Sequence, residues 1–296
     1  MAGPAPDGQR RRHALTVATS RRAAVLGHPI AHSLSPVLHA AAYRALGLTG
    51  WRYTAEDVTE DGLVAFLAGL DGAWAGLSLT MPLKRAVLPL LDHVEPLAEV
   101  VGAVNTVLVQ PERGGHILVG ANTDVHGLAA ALREGLAGRV PATAAVLGGG
   151  ATAASALAAL AELGVTDAVV YVRSLGRSGA LVRAAHRMGV APQFRGFDRA
   201  HAEVPAADVV VSTLPPHGAD ALAASVVGPA GGVLLDVAYE PRPTALGEAW
   251  REAGGTVVAG ERMLLHQAAE QVRLMTGRVA PLAAMAAALD EALAAR

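Results

Sequence analysis

The sequence contains no cysteine at all, which removes disulfide frameworks, thiolate zinc sites and cysteine nucleophiles in one step and leaves the redox compartment undetermined. Aromatic residues are also scarce, at 3% against a hydrophobic fraction of 52%. A core must therefore be built mainly from Ala, Val and Leu, a composition suited to close packing of helices on parallel strands. Charge is nearly balanced, with a formal net value of -2, so no broad basic surface for nucleic acid is expected. No tract of about twenty apolar residues is present to span a membrane. Missing signals of this kind make a soluble, cytoplasmic protein acting on small molecules the expectation.

At 296 residues the chain is roughly twice the usual size of one domain. Its first segment, residues 1–22, carries Arg10, Arg11, Arg12, Arg21 and Arg22 among small and polar residues and reads as a disordered basic tail. Ser20, Arg21 and Arg22 faintly resemble a twin-arginine signal, but the apolar run after them stops at Gly27-His28-Pro29. From residue 23 onward, short apolar runs alternate with Ala/Leu-rich helical stretches, the pattern of parallel strands joined by crossover helices. Strands are predicted near 23–26, 52–55, 76–79 and 104–109, with helices over 35–46, 59–68 and 82–90. Ser35-Pro36 reads as an N-cap followed by a first-turn proline, and Gly47 as a stop.

A second series has strands near 144–147, 168–172, 209–212, 233–236 and 256–258, and its first helix is the Ala-rich stretch 151–163. Helical stretches 261–276 and 281–295 follow without further strands and are expected to return to the first lobe. The expected fold class is α/β and two-lobed. Residues 23–123 and 261–296 form an α/β substrate-binding domain, and 124–260 a Rossmann-type domain.

Residues 144–154 read AAVLGGGATAA, a strand, a turn carrying Gly148, Gly149 and Gly150, and then a helix opening at Ala151. With Ala153 in the third position this is the G-x-G-x-x-A dinucleotide fingerprint in its proper context. Glycine permits the tight turn and lets backbone amides approach a pyrophosphate at the positive helix end. The following strand ends at Arg173 and Ser174, where an NAD enzyme usually places a carboxylate, and no Asp or Glu occurs between Val169 and Val182. Arg173 and Arg177 can pair with a 2′-phosphate and Ser174 can donate to it, so NADP is the expected cofactor.

The first lobe concentrates polar residues beside its strands: GHPIAHSLSP at 27–36, SLTMPLK at 78–84, GAVNTV at 102–107 and GANTDVHG at 120–127. Capping explains part of this for Ser35 and Thr123. It does not explain a lysine, an aspartate, an asparagine and several hydroxyls on neighbouring loops. The spacing of His28 and His32 is interrupted by Pro29 and has no carboxylate in register, so no metal is expected.

In motif order and content, residues 23–293 resemble the shikimate dehydrogenases. Gly27, Pro29, Ile30, His32, Ser33, Ser35 and Pro36 match the family's G-x-P-I-x-H-S-x-S-P motif. The resemblance implies that Ser33 and Ser35 hold the substrate carboxylate. Thr80 and Lys84 match N-x-T-x-P-x-K, with Ser78 where asparagine is common, and Asn105 and Asp124 match motifs that reach the ring hydroxyls. Tyr239 in DVAYEPRPT and Gln267 are similar to residues beside the substrate, and Gly260 and Met263 to residues bordering the nicotinamide. Ser212, at the end of its strand, joins the expected cofactor set. Ala151 and Val172 depart from a glycine and an asparagine common in the family.

The resemblance implies reversible reduction of 3-dehydroshikimate to shikimate in the chorismate pathway to the aromatic amino acids. Lys84 would be the proton donor and Asp124 its orienting partner. Quinate or aminoshikimate dehydrogenases are the nearest alternatives. Methylenetetrahydrofolate dehydrogenase shares the two-lobed plan, and a silent NADP-binding regulator is the alternative outside enzymes. The expected partners are the small-molecule substrate and, at most, a second copy of the chain: a monomer or homodimer.

Overall fold

The computed structural model describes residues 20–226 and 230–296. Strands β1 (Arg21–Gly27), β2 (Trp51–Asp57), β3 (Trp74–Leu79), β4 (His93–Val94), β5 (Thr106–Glu112) and β6 (Gly115–Ala121) form a first sheet in the order β2-β1-β3-β5-β6-β4. Helices α1 (Ser35–Ala45), α2 (Glu60–Ala68), α3 (Leu83–Ala86) and α4 (Pro96–Val101) connect them. Helix α5 (Asp124–Leu136) then leads to the second sheet, built from β7 (Ala144–Leu147), β8 (Val169–Val172), β9 (Gln193–Gly196), β10 (Val209–Ser212), β11 (Val233–Asp236) and β12 (Thr256–Ala259). Its helices are α6 (Ala151–Glu162), α7 (Gly179–Met188), α8 (Ala200–Glu203), α9 (Asp220–Ala223) and α10 (Ala245–Glu252). Helices α11 (Gly260–Thr276) and α12 (Leu282–Ala294) close the chain.

The second sheet is parallel throughout, in the order β12-β11-β10-β7-β8-β9. That is the doubly wound order of dinucleotide-binding folds, with its topological switch point between β7 and β10. Ala153, Ala154, Ala156 and Ala159 of α6 are wholly buried, so small side chains let the helix lie close on the strands. Aromatic mass is confined to a few places, among them Trp250, whose indole N–H donates to the Gly232 carbonyl at 3.1 Å.

The first sheet corrects the sequence reading. β5 runs antiparallel to both β3 and β6, so this sheet is mixed where uniformly parallel strands are expected from the sequence. The unforeseen strand β6 pairs with β5 through a tight turn at Arg113-Gly114, and its sequence, GHILVGA, has no polar-apolar alternation to mark it. The predicted helix 82–90 is two pieces, α3 and a short turn at Leu88–Leu90. Arg21 and Arg22 belong to β1 and not to a tail. Arg22 pairs with Asp71 at 2.7 Å and lies over the Trp74 ring, which explains how arginines sit in a strand. The rest of the expected tail, residues 1–19, lies outside the described residues. Among those described, no helix is long and apolar enough to cross a membrane.

Between the sheets lie α5 and α11, packed closely on one another. Helix α11 also packs with α1 and α12 around Leu38, Leu265, Val272 and Met285, which returns the chain's end to the first lobe. Each lobe thus contributes loops to a common cleft.

Candidate active site

Ser33 and Ser35 reach this cleft from the loop between β1 and α1. Ser35 is the first residue of α1 and Leu34 its N-cap, so the Ser35 hydroxyl does not cap the helix as the sequence suggests. Ser33 Oγ accepts from the Ser35 backbone N–H at 3.3 Å, which folds the two hydroxyls into one turn. Thr80 follows β3, held by its N–H to the Leu26 carbonyl at 2.9 Å, and Lys84 lies in the first turn of α3. Together with Tyr239, Gly260, Met263, Gln267 and Asp124 they line a cleft of about 270 Å³.

Lys84 Nζ donates to Asp124 Oδ2 at 2.5 Å, and their side chains are 15% and 4% exposed. Such a pair is unlike a solvated surface bridge, because removing either partner strands a charge away from water. Asp124 opens α5, where the positive helix end favours a carboxylate. Its Oδ1 accepts from Asn105 Nδ2 at 2.8 Å. The Asn105 amide has only one possible orientation, since its Oδ1 accepts from the Thr123 backbone N–H at 2.7 Å. Asn105 Nδ2 also reaches Gln267 Oε1 at 3.1 Å. Asn105 is itself 1% exposed and lies behind the cleft wall, orienting Asp124 and Gln267. Thr123, read from the sequence as a cap, instead donates its hydroxyl to Asn105, and Asn122 Oδ1 accepts from the Val125 N–H at 3.2 Å in its place.

The distance between Asp124 and Gln267 depends on Gly127, one turn into α5. A Cβ there would stand 2.8 Å from Gln267 Cβ and 2.8 Å from the Met263 carbonyl. Gly127→Ala is therefore expected to push α5 from α11, lowering kcat/KM at least tenfold and melting temperature by several degrees, as overpacking costs about 1 to 3 kcal/mol. Unchanged kinetics and melting would mean that the helices separate without disturbing the site.

A second groove, of about 380 Å³, opens at the switch point and is lined by Gly148, Gly149, Gly150, Arg173, Ser174 and Arg177. Gly148 takes φ +113, and a Cβ on it would lie 2.5 Å from Thr213 Oγ1, so both conformation and space require glycine. No Asp or Glu lines the groove among the described residues. Free backbone amides at the start of α6 and two arginines fit a pyrophosphate and an additional phosphate. Ala151 opens α6, and its neighbour Thr152 lines the first cleft, so the two recesses meet at this helix end.

Of the other expected cofactor residues, Gly260 and Met263 line the first cleft, Ala151 lines neither recess, and Ser212 also falls outside the groove. It is wholly buried at the end of β10, and Thr213, Leu214 and Pro215 form the wall. A strand's last inward side chain packs, while the loop beyond it faces ligand. Sequence reasoning noted Ser78 without assigning it to the site and missed Gln271, and both line the first cleft. Gln271 sits one helical turn beyond Gln267, and that i, i+4 spacing is the signal that could have found it. His28 pairs with Asp57 at 2.6 Å, and among the described residues no group of three or more His, Asp and Glu is placed to hold a metal.

Comparison with known proteins points to one family. Residues 25–107 match the model of the shikimate dehydrogenase substrate binding domain, and residues 260–289 the shikimate 5′-dehydrogenase C-terminal domain. A shikimate dehydrogenase (NADP(+)) of an Anaeromyxobacter species is 40% identical over 276 residues, covering 90% of this chain and 94% of the relative. The crystal structure of Mycobacterium tuberculosis shikimate dehydrogenase superposes with TM-score 0.81 at 43% identity, over 92% of this chain and 99% of that one. The shikimate 5-dehydrogenase of Thermus thermophilus, solved with NADP(H) and shikimate, does so with TM-score 0.76 at 34% identity, over 92% and 99%.

Proposed function

The chain belongs to the shikimate dehydrogenase family, and we propose that it reversibly reduces 3-dehydroshikimate to shikimate with NADPH, on the route to chorismate and the aromatic amino acids. The observation that carries this reading is the Lys84–Asp124 pair, set among hydroxyl and amide groups in a cleft that meets a carboxylate-free glycine-turn groove. The glycine turn, Arg173, Ser174 and Arg177 would hold NADPH, which when bound would supply the hydride. Ser33 and Ser35 anchor the substrate carboxylate. Reduction of a ketone leaves negative charge on its oxygen, and the Lys84 ammonium delivers the proton there. Asp124 aims that ammonium, and Asn105 in turn aims Asp124. Thr80 and Gln267 steady the ring hydroxyls, while Tyr239, Gly260 and Met263 shape the wall where substrate and nicotinamide meet. In the oxidative direction the lysine, transiently neutral, accepts the proton.

In the same proposal, residues 23–123 and 261–296 form the substrate-binding domain, with strand β1 extending it back to Arg21, and residues 124–260 form the cofactor domain. The enzyme works in the cytoplasm, where NADPH is supplied, as a monomer or homodimer that sedimentation would tell apart.

Absorbance of NADPH in the presence of 3-dehydroshikimate tests the assignment directly. Turnover excludes a silent regulator, and activity on quinate with NAD equal to that on shikimate with NADP would reassign the chain to quinate chemistry. Arg173→Asp is expected to move cofactor preference towards NAD by at least tenfold in the ratio of kcat/KM values, through loss of a phosphate partner and added repulsion. An unchanged ratio would remove Arg173 from the 2′-phosphate site.

A further inference from the structure

Behind the cleft wall, a chain of polar groups that the reaction does not use ends on Ser78. Gln271 Nε2 lies 3.0 Å from Thr106 Oγ1 and 3.4 Å from the Asn105 backbone carbonyl. A carbonyl can only accept, so the amide nitrogen must face it and Gln271 Oε1 must face the other way, 2.8 Å from Ser78 Oγ. That oxygen is also only an acceptor, and the Ser78 proton is therefore committed to it. Tyr53 Oη stands 2.6 Å from Ser78 Oγ on the remaining side. Burial holds the Tyr53 phenol above its ordinary pKa, so it stays protonated and donates.

His39 stacks on the Tyr53 ring at 3.8 Å between centroids and places Nε2 3.4 Å from Gln271 Oε1. Desolvation lowers the His39 pKa to about 3, so the ring is neutral, with Nε2–H towards Gln271 and Nδ1 accepting from Tyr43. The protons on Gln271, Ser78 and His39 are thereby directed, and the Tyr53 hydroxyl lies against both Ser78 and Ser35. Ser78 Oγ is left with one lone pair, and Ser78 lines the cleft.

We propose that Tyr53 and Gln271 are positioning residues that lock Ser78 as a pure hydrogen-bond acceptor on the cleft wall, selecting a substrate ring hydroxyl that donates to it. This rests on the activity proposed above.

The test is a double-mutant cycle on shikimate oxidation, read as KM, kcat and calorimetric affinity for shikimate. Ser78→Ala, Tyr53→Phe and Gln271→Met are each expected to raise the KM for shikimate about three- to tenfold, the loss of one neutral hydrogen bond, with kcat within about twofold and the KM for NADP unchanged. In the Ser78→Ala background, Gln271→Met should add nothing, and Tyr53→Phe should add only what it costs through its contact with Ser35, a small factor that vanishes when Ser35→Ala is also present. Full multiplicative effects in that background, or an unchanged KM in the single variants, would overturn the proposal. Gln271→Met keeps the cycle decisive should Tyr53→Phe fail to fold. Wild-type protein that binds shikimate without turning it over would instead overturn the activity, with the cycle still measurable as affinity.

Discussion

Replacing Lys84 with alanine should lower kcat by about a hundredfold to ten-thousandfold, the range for loss of a general acid. Affinity for shikimate should fall far less, because Ser33, Ser35, Thr80 and Gln267 stay in place on the cleft wall. The variant also leaves Asp124 buried without its cation, and Asn105 then holds a carboxylate that points at nothing. Lys84→Arg should not rescue the rate. A guanidinium remains protonated and cannot accept the proton in the oxidative direction, and its planar fork does not fit a position defined by one carboxylate oxygen. Steady-state kinetics at saturating substrate decide the matter. Near-normal kcat with a greatly raised KM would make Lys84 a binding residue, and the acid would have to be sought at Asp124, Tyr239 or an ordered water.

Loss of both serine hydroxyls should act on the other kinetic constant. Ser33→Ala combined with Ser35→Ala is expected to raise the KM for shikimate by two orders of magnitude or more, each charge-assisted hydrogen bond contributing about 1.5 to 3 kcal/mol. Because Ser35 makes no capping bond, its removal should leave α1 intact. Ser33 does accept from the Ser35 N–H, and the single Ser33 variant should therefore show a small fall in melting temperature that the single Ser35 variant lacks. Affinity for NADP should remain nearly constant, since neither serine lines the cofactor groove. An equal loss of cofactor affinity would show that this loop supports the whole cleft.

These two experiments separate what the motifs indicate from what the packing arranges. The glycine turn, the basic end of β8 and the serine pair are legible in the sequence because each is a local event. Backbone geometry, charge and hydroxyl chemistry within a few residues suffice to identify them. Five of the six strands of the second sheet are legible for the same reason, being short apolar runs, whereas the edge strand β9, which reads QFRG, is not. β6 is not legible, since GHILVGA shows no alternation and only its pairing with β5 makes it a strand.

Composition and local pattern, then, determined an α/β chain with an alanine-rich core, a dinucleotide turn without a carboxylate, and a lysine and an aspartate on separate loops. Tertiary structure alone decided that Asn105 stands behind the cleft wall, that Thr213 and not Ser212 lines the glycine-turn groove, and that Ser78 is bound into a directed chain, and it brought Lys84 and Asp124, partners that the family resemblance implies, to 2.5 Å. The physical reason is that each of these depends on atoms distant in sequence brought within about 3 Å, where hydrogen-bond direction and burial assign the role. A residue's chemical type limits what it can donate or accept, and its neighbours in space decide which of those it does.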